Sequence, residues 1–311
     1  MKDSHKYLVE SEKLIRNHGL PKPVKSQKVS KLHHIFSFLK IIEESTIQKA
    51  IPLSNESGMG TCPSTSPSSP LSDVVVAVDG SQLINSRLEW LDEDELGDSE
   101  DSLFVSIYQI PTALLSLLSQ TSSLCKDLTS TGSPTSEFSR RCQIIEDRIF
   151  NWKPPENLTL KEAPQTFESM ELESSDGHNC SAISAHIVAA MHHALIVHFQ
   201  RQIRKTDPRV LQHYVMNAAN HLVVHEKLKK ILDVRTTAFP WPCFIVGCEA
   251  YDLAARQKVE EYLDLVRDYN VGSLVEVERV IREVWRRQDL GQNDKCWDNV
   301  LGDWGLRIIL T

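Results

Sequence analysis

Apolar residues recur at helical spacing along most of the chain. Between residues 3 and 18, Tyr7, Leu8, Leu14 and Ile15 share one stripe, and between 28 and 50, Val29, Leu32, Phe36, Leu39 and Ile42 share another. Together they predict an opening helical hairpin. Pro21 and Pro23 lie between the two stripes with Lys22, Lys25 and Lys28 around them. Proline is rejected by helix interiors, so the segment reads as a solvated connector in preference to a nuclear-import signal. Helical text returns at Leu103–Leu118 and around Glu137–Asn151. Ile183, Ile187, Ala190, Ala194, Leu195, Phe199 and Ile203 then form the longest stripe. Asp207 and Pro208 supply an N-cap and an N1 proline for the next helix. Helices are expected over 182–205, 208–232, 243–269, 273–288 and 297–310, with Pro240 and Pro242 holding an extended entry to the third. There is no recurring strand–helix alternation and there are only 12 glycines. The expected fold is therefore all-α, a multi-helix domain with flexible polar loops.

The pattern breaks in definite places. From Ser54 to Asp73 the text is rich in Ser, Pro and Gly, a composition that buries too little apolar area to offset chain entropy. Val74–Val78 is apolar but too short for periodicity to separate strand from helix. Residues 92–101 carry seven carboxylates beside Trp90 and Leu91; a solvated loop is favoured over an activation-type acidic segment. Further polar loops are expected at Thr129–Thr135 and at 153–180. These breaks divide the chain into an N-terminal helical part at 1–51, an insertion or linker at 52–102, and a main helical domain at 103–311.

Charge and cysteine usage narrow the function. Asp and Glu outnumber Lys and Arg 42 to 34, a net charge of −8, whereas nonspecific DNA affinity comes from Lys and Arg neutralising phosphates. Specific DNA binding by this chain alone is not expected. No apolar run is read as approaching the roughly 20 residues that cross a bilayer, and residues 1–6 lack the apolar core of a signal peptide. No membrane association is expected, and Asn55, Asn157 and Asn179, which match the glycosylation pattern, read as chance matches in an intracellular chain. The seven cysteines are scattered and form no Cys-x-x-Cys pair, so reduced thiols are expected and a binuclear zinc cluster is absent from this text.

Candidate chemistry is sparse. His221 and His225 lie one helical turn apart, but Leu222 and Val223 occupy the intervening places where a zincin carries its glutamate. These two, and the group His186, His192, His193 and His198, read as ordinary helix histidines, and no stoichiometric zinc or other cofactor is expected. Cys243 and Cys248 read as small core residues. There is no Gly-rich phosphate loop, no nucleophile elbow and no paired-carboxylate motif, so no enzyme is expected. Glu249 and Arg256 are seven residues apart, which on one continuous helix places both on one side as an internal ion pair or inter-helix tether. Trp285, Trp297 and Trp304 read first as packing anchors. Trp241, Cys248, Glu249, Arg256 and Trp285 form the candidate structural or effector site.

The segment from Phe239 through Pro240, Trp241, Pro242 and Cys243 to Ala250, followed by Arg256 and by Val280–Asp289, resembles the fungal-specific transcription factor domain. That family is the all-helical regulatory region that normally follows a six-cysteine zinc cluster. Lys6–Arg16, Leu32–Thr46, Ser106–Gln120, Cys142–Trp152 and His186–Leu211 fall in the family's order, with similarity to its regulators of arginine metabolism. The resemblance implies a transcription-regulating module without its zinc cluster, located in the nucleus or also the cytoplasm. It implies control of metabolic genes through a protein partner, a homodimer or a small-molecule effector of unknown identity. A helical enzyme or small-molecule-binding protein of a metabolic pathway is the alternative.

Overall fold

Ten α-helices and three short 3-10 turns build the described part of the molecule, a computed structural model that describes residues 4–15, 17, 27–46, 109–131, 135–159, 176–236, 238–269, 272–292, 296–308 and 310. In chain order they are α1 (Ser4–Leu14), α2 (Gln27–Thr46), α3 (Thr112–Thr131), α4 (Ser136–Asn151) and α5 (Asp176–Gln202), then α6 (Gln212–Ile231), α7 (Pro240–Cys248), α8 (Leu253–Val266), α9 (Gly272–Asp289) and α10 (Trp297–Trp304). No strand occurs among the described residues, and the all-α expectation holds. The expected insertion at 52–102, with Val74–Val78 and the acidic run at 92–101, lies outside them, as does most of the Pro21–Lys28 connector.

Helix α5 is the centre of the core. Ile187, Val188, Ala190, Met191, Ala194, Leu195, Val197 and Phe199 are all buried, so the helix is apolar around its circumference rather than on one stripe. Its segment Ser181–Gln202, 22 residues, is long and apolar enough by length and composition to cross a bilayer, an 18-residue window within it having mean hydropathy 1.4. This corrects the reading that no run approaches that length. Two-thirds of it is buried inside the protein, against α6 and α7, which is how a core helix meets the same criterion. Helix α6 packs in turn on α8, α7 on α9, α9 on α10, and α2 on α3.

Several boundaries differ from the sequence pattern, each for a local reason. The helix expected at 103–118 runs from Thr112 to Thr131 instead. Pro111 supplies the carbonyl that accepts from the Leu114 and Leu115 amides at its start. At its polar end, Thr121 and Ser122 donate back to the Leu117 and Leu118 carbonyls at 2.8 and 3.0 Å, so their hydroxyls are satisfied inside a buried helix. Pro240 and Pro242 do not form an extended entry but sit inside the first turn of α7, where the amides they lack would have no intrahelical acceptor. Asp207 does cap its helix start, accepting from the Arg209 amide at 2.8 Å, although the first turn is 3-10. Helix α10 ends at Gly305, whose φ of 58° is the left-handed conformation that stops a helix short of the expected residue 310.

The largest departure is at the expected helix 243–269, which is two helices. Its apolar periodicity continues across the break, but the Gln212 side chain of α6 reaches in and takes over the backbone. The Gln212 amide donates to the Glu249 carbonyl at 2.9 Å and its oxygen accepts from the Tyr251 and Asp252 amides at 3.0 and 3.2 Å. A helix-interior ladder is thereby replaced by bonds to a neighbour 37 to 40 residues away in sequence.

A polar pocket at the break between α7 and α8

The break at 249–252 opens a cavity of about 310 Å³. On one side stand Arg201 at the end of α5, Lys205 in the following turn, and Arg209. On the other are Cys248 and Glu249 at the end of α7, with Gln288 of α9 and Cys296 before α10 closing it. Lys205 has φ of 56°, an uncommon conformation for a residue with a Cβ and of the kind found at functional sites.

Glu249 is the hub. It is buried, and its Oε2 accepts from Arg201 Nε at 2.6 Å. The same guanidinium donates through Nη1 to the Thr206 carbonyl at 2.5 Å, fastening the turn that carries Lys205. Burial pushes the Glu249 carboxyl up to about 7, outweighing the attraction of Arg201, which pulls the other way. Asp298 is raised as well, chiefly by burial, and its Oδ1 has no hydrogen-bond partner among the described residues. Burial also raises the thiols of Cys248 and Cys296. They are held protonated and serve as packing groups, since only a thiolate is an effective nucleophile.

A carboxyl that binds its proton more tightly in the folded chain favours the fold below its ordinary range, and that contribution is lost as pH rises through the folded value. For Glu249 the window runs from 4.5 to about 7, and its full span corresponds to about 3 kcal/mol. Thermal melts across that window should therefore show stability falling as pH rises. Glu249→Gln should flatten that part of the profile; an unchanged profile would show that Glu249 is not the group responsible.

The five residues picked from the sequence are divided by the structure. Cys248 and Glu249 line the pocket. Arg256 and Trp285 stand behind it as a brace: the Arg256 guanidinium lies over the Trp285 ring at 5.4 Å, Arg256 Nε donates to the Ala250 carbonyl at 3.2 Å, and Trp285 Nε1 donates to the Gly247 carbonyl at 2.8 Å. Gly247 lets the helices pack closely there: a Cβ would fall 2.5 Å from Ile281 Cδ1, and that side chain would have to shift to admit it. Trp241 is elsewhere, fully buried with its Nε1 donating to Ser45 Oγ at 2.7 Å. The expected Glu249–Arg256 ion pair is not formed. The interrupted helix separates the two, Glu249 pairs with Arg201, and Arg256 pairs with Asp289 at 2.8 Å.

This pairing sets the expected cost of losing Arg256. The Asp289 side chain is 62% exposed, so no buried carboxylate is orphaned. Arg256→Ala should cost about 1–2 kcal/mol, mostly through the Trp285 stack and the Ala250 carbonyl. Arg256→Met should cost less, because its methylenes still cover the indole. Urea unfolding of both variants checks the order; a loss of the size expected for a broken buried pair would contradict the assignment.

The histidines form a separate cluster between α5 and α6. His186 Nδ1 and His221 Nδ1 are 3.0 Å apart, His193 stacks on His221 with ring centroids 5.7 Å apart, and His225 Nδ1 meets the Ile183 carbonyl at 2.9 Å. Burial lowers His186 and His221 to about 4, so they are neutral packing groups at neutral pH. Among the described residues no three His, Cys, Asp or Glu side chains are gathered as a metal ion would need.

The pocket's cations escaped the sequence reading. Arg201 and Lys205 look like surface charges at a helix end, and only the Asp207–Pro208 helix start hinted that the chain turns there. What the scaffold is, however, is decided by comparison with known proteins. The sequence model of the fungal specific transcription factor domain matches residues 1–311. The chain belongs to that family. The resemblance carried by Phe239–Ala250 and Val280–Asp289 is thereby confirmed across the whole domain. The domain is similar to the arginine metabolism regulation protein II of Saccharomyces cerevisiae, with 25% identity over 365 aligned residues covering 100% of this chain and 41% of the relative. It thus spans less than half the length of that relative. No solved structure matches it.

Proposed function

We propose that this chain is a regulatory module of fungal transcription control, acting in the nucleus on a restricted set of metabolic genes. The observation that carries the reading is the family match over all 311 residues, reinforced by similarity to a named metabolic regulator. The described residues support it physically: a helical core built around α5, with a partly open polar cavity at the junction of four elements, is suited to couple a small ligand to the packing of helices. The chain's net charge of −8 gives no general reason for it to approach DNA, and on this reading promoter contact and output run through a protein partner or a second copy of the chain. The alternative of an enzyme finds no support in the pocket's thiols, Cys248 buried and Cys296 half-buried, both raised by burial.

Deleting the gene should change the transcripts of a limited group of metabolic genes, and feeding single pathway intermediates should not bypass the defect. If one intermediate restored growth while transcript levels stayed unaltered throughout, the regulatory reading would fall.

A further inference from the structure

The cavity beside Glu249 has an unbalanced set of charges. Arg201 is committed to Glu249 and to the Thr206 carbonyl. Arg209 is committed to Asp207 and lies over the Tyr251 ring at 5.5 Å. Lys205 lines the same cavity and its ammonium makes no hydrogen bond or ion pair among the described residues. Three cations thus line one small, partly open cavity, Lys205 and Arg209 at its exposed rim, against Asp207 and a buried Glu249. A cleft lined mainly by one sign of charge raises the local concentration of counter-charge, and Lys205 is the donor left to receive it. Its left-handed backbone is the strained feature that accompanies this placement. At about 310 Å³ the space is at the small end of ligand pockets.

We infer that this cavity binds a small oxyanion, the carboxylate or phosphate group of a low-molecular-weight metabolite, held by Lys205 and Arg209 with Arg201 and the Glu249 carboxyl beneath it. This deepens the regulatory reading, and rests on it for its purpose, by giving the input its chemical class. It also links the site to the protein's mechanics, because Arg201 joins the end of α5 to the break between α7 and α8. A ligand that recruits Arg201 loosens its hold on Glu249, and protonation of Glu249 releases the arginine for the ligand.

A proton linkage follows. The groups facing Glu249 are Arg201 and Lys205 from α5 and the turn after it, Cys248 from α7, and Cys296 and Asp298 at the start of α10. Arg209 and Asp207 stand across the cavity, while Gln212 of α6 and Gln288 of α9 contribute neutral amides. Of these, Glu249 is the carboxyl held up to about 7. An entering anion is repelled by its ionised form, so binding should be accompanied by proton uptake and should weaken as pH rises through that value.

The test is calorimetric titration of the purified chain with inorganic phosphate and, separately, with malonate, one unit below and one unit above the Glu249 value. Saturable one-to-one binding of either probe, weaker at the higher pH, is the expected result, and the probe that binds assigns phosphate or carboxylate. Lys205→Asn removes the free cation while tolerating the left-handed backbone, and should weaken binding about tenfold or more with an unchanged melting temperature. Glu249→Gln should bind with little pH dependence. No saturable binding of either probe at millimolar concentration, or binding indifferent to Lys205→Asn, overturns the site. Binding without any transcript change on gene deletion would remove the transcriptional reading and leave the anion site standing; transcript changes without binding would do the reverse.

Discussion

Replacing Lys229 with alanine is expected to destabilise the chain by about 3–5 kcal/mol, a large part of the roughly 5–15 kcal/mol that holds a typical domain together. Glu226 and Lys229 are neighbours on one face of α6, and both are buried, at 0% and 1% exposure. Lys229 Nζ lies 3.1 and 3.0 Å from the two Glu226 oxygens. The Tyr269 hydroxyl donates to Glu226 Oε2 at 2.6 Å, and the Lys229 ammonium sits 4.8 Å from the Tyr269 ring centroid. Removing the lysine leaves a carboxylate without its cation inside the core. Removing both charges does not, so Lys229→Met combined with Glu226→Gln should recover much of the loss. Denaturant unfolding of the single and double variants decides it; a double variant as damaged as the sum of the singles would show the pair to be energetically uncoupled.

Trp241→Ala is expected to cost a further large amount, about 3–5 kcal/mol, and to act on one part of the fold more than another. Trp241 is completely buried, edge-on to His198 at 5.8 Å, and bonded to Ser45 near the end of α2. Ser45 donates in turn to the Ile42 carbonyl at 2.7 Å, and Phe38 meets Phe239 at a centroid distance of 5.6 Å. The indole is therefore the peg by which α2 is held to the start of α7. Trp241→Phe should lose the hydrogen bond and a little volume, and cost about 1–2 kcal/mol. Hydrogen exchange should show the α2 amides of Trp241→Ala opening ahead of those of α5 and α6. Uniform acceleration across all helices would mean that the residue supports the core generally and does not anchor α2 in particular.

Much of the candidate site was legible in part. Glu249 stands out in the sequence because a charged residue amid Phe244, Ile245 and Ala250 needs a partner if buried. The partner was misassigned because periodicity treats 243–269 as one rod and so offers Arg256 as the near cation. The true partner, Arg201, lies 48 residues away, and no local pattern distinguishes it from Arg204, which reaches Glu146 on the surface instead. The buried Glu226–Lys229 pair has the same spacing as ordinary solvated i, i+3 pairs such as Glu276–Arg279. Spacing alone therefore gives no sign that it sits in the core.

By itself the sequence determined the helical class, most helix starts and the family, because apolar spacing, capping residues and ordered segments such as Phe239–Ala250 are properties of neighbouring positions. Only the tertiary structure decided where the long helix breaks, which cation meets Glu249, and which charges are buried. Each of those depends on a side chain brought in from another helix, as Gln212 is to the 249–252 backbone, and contacts at such separation are fixed by packing, not by local pattern.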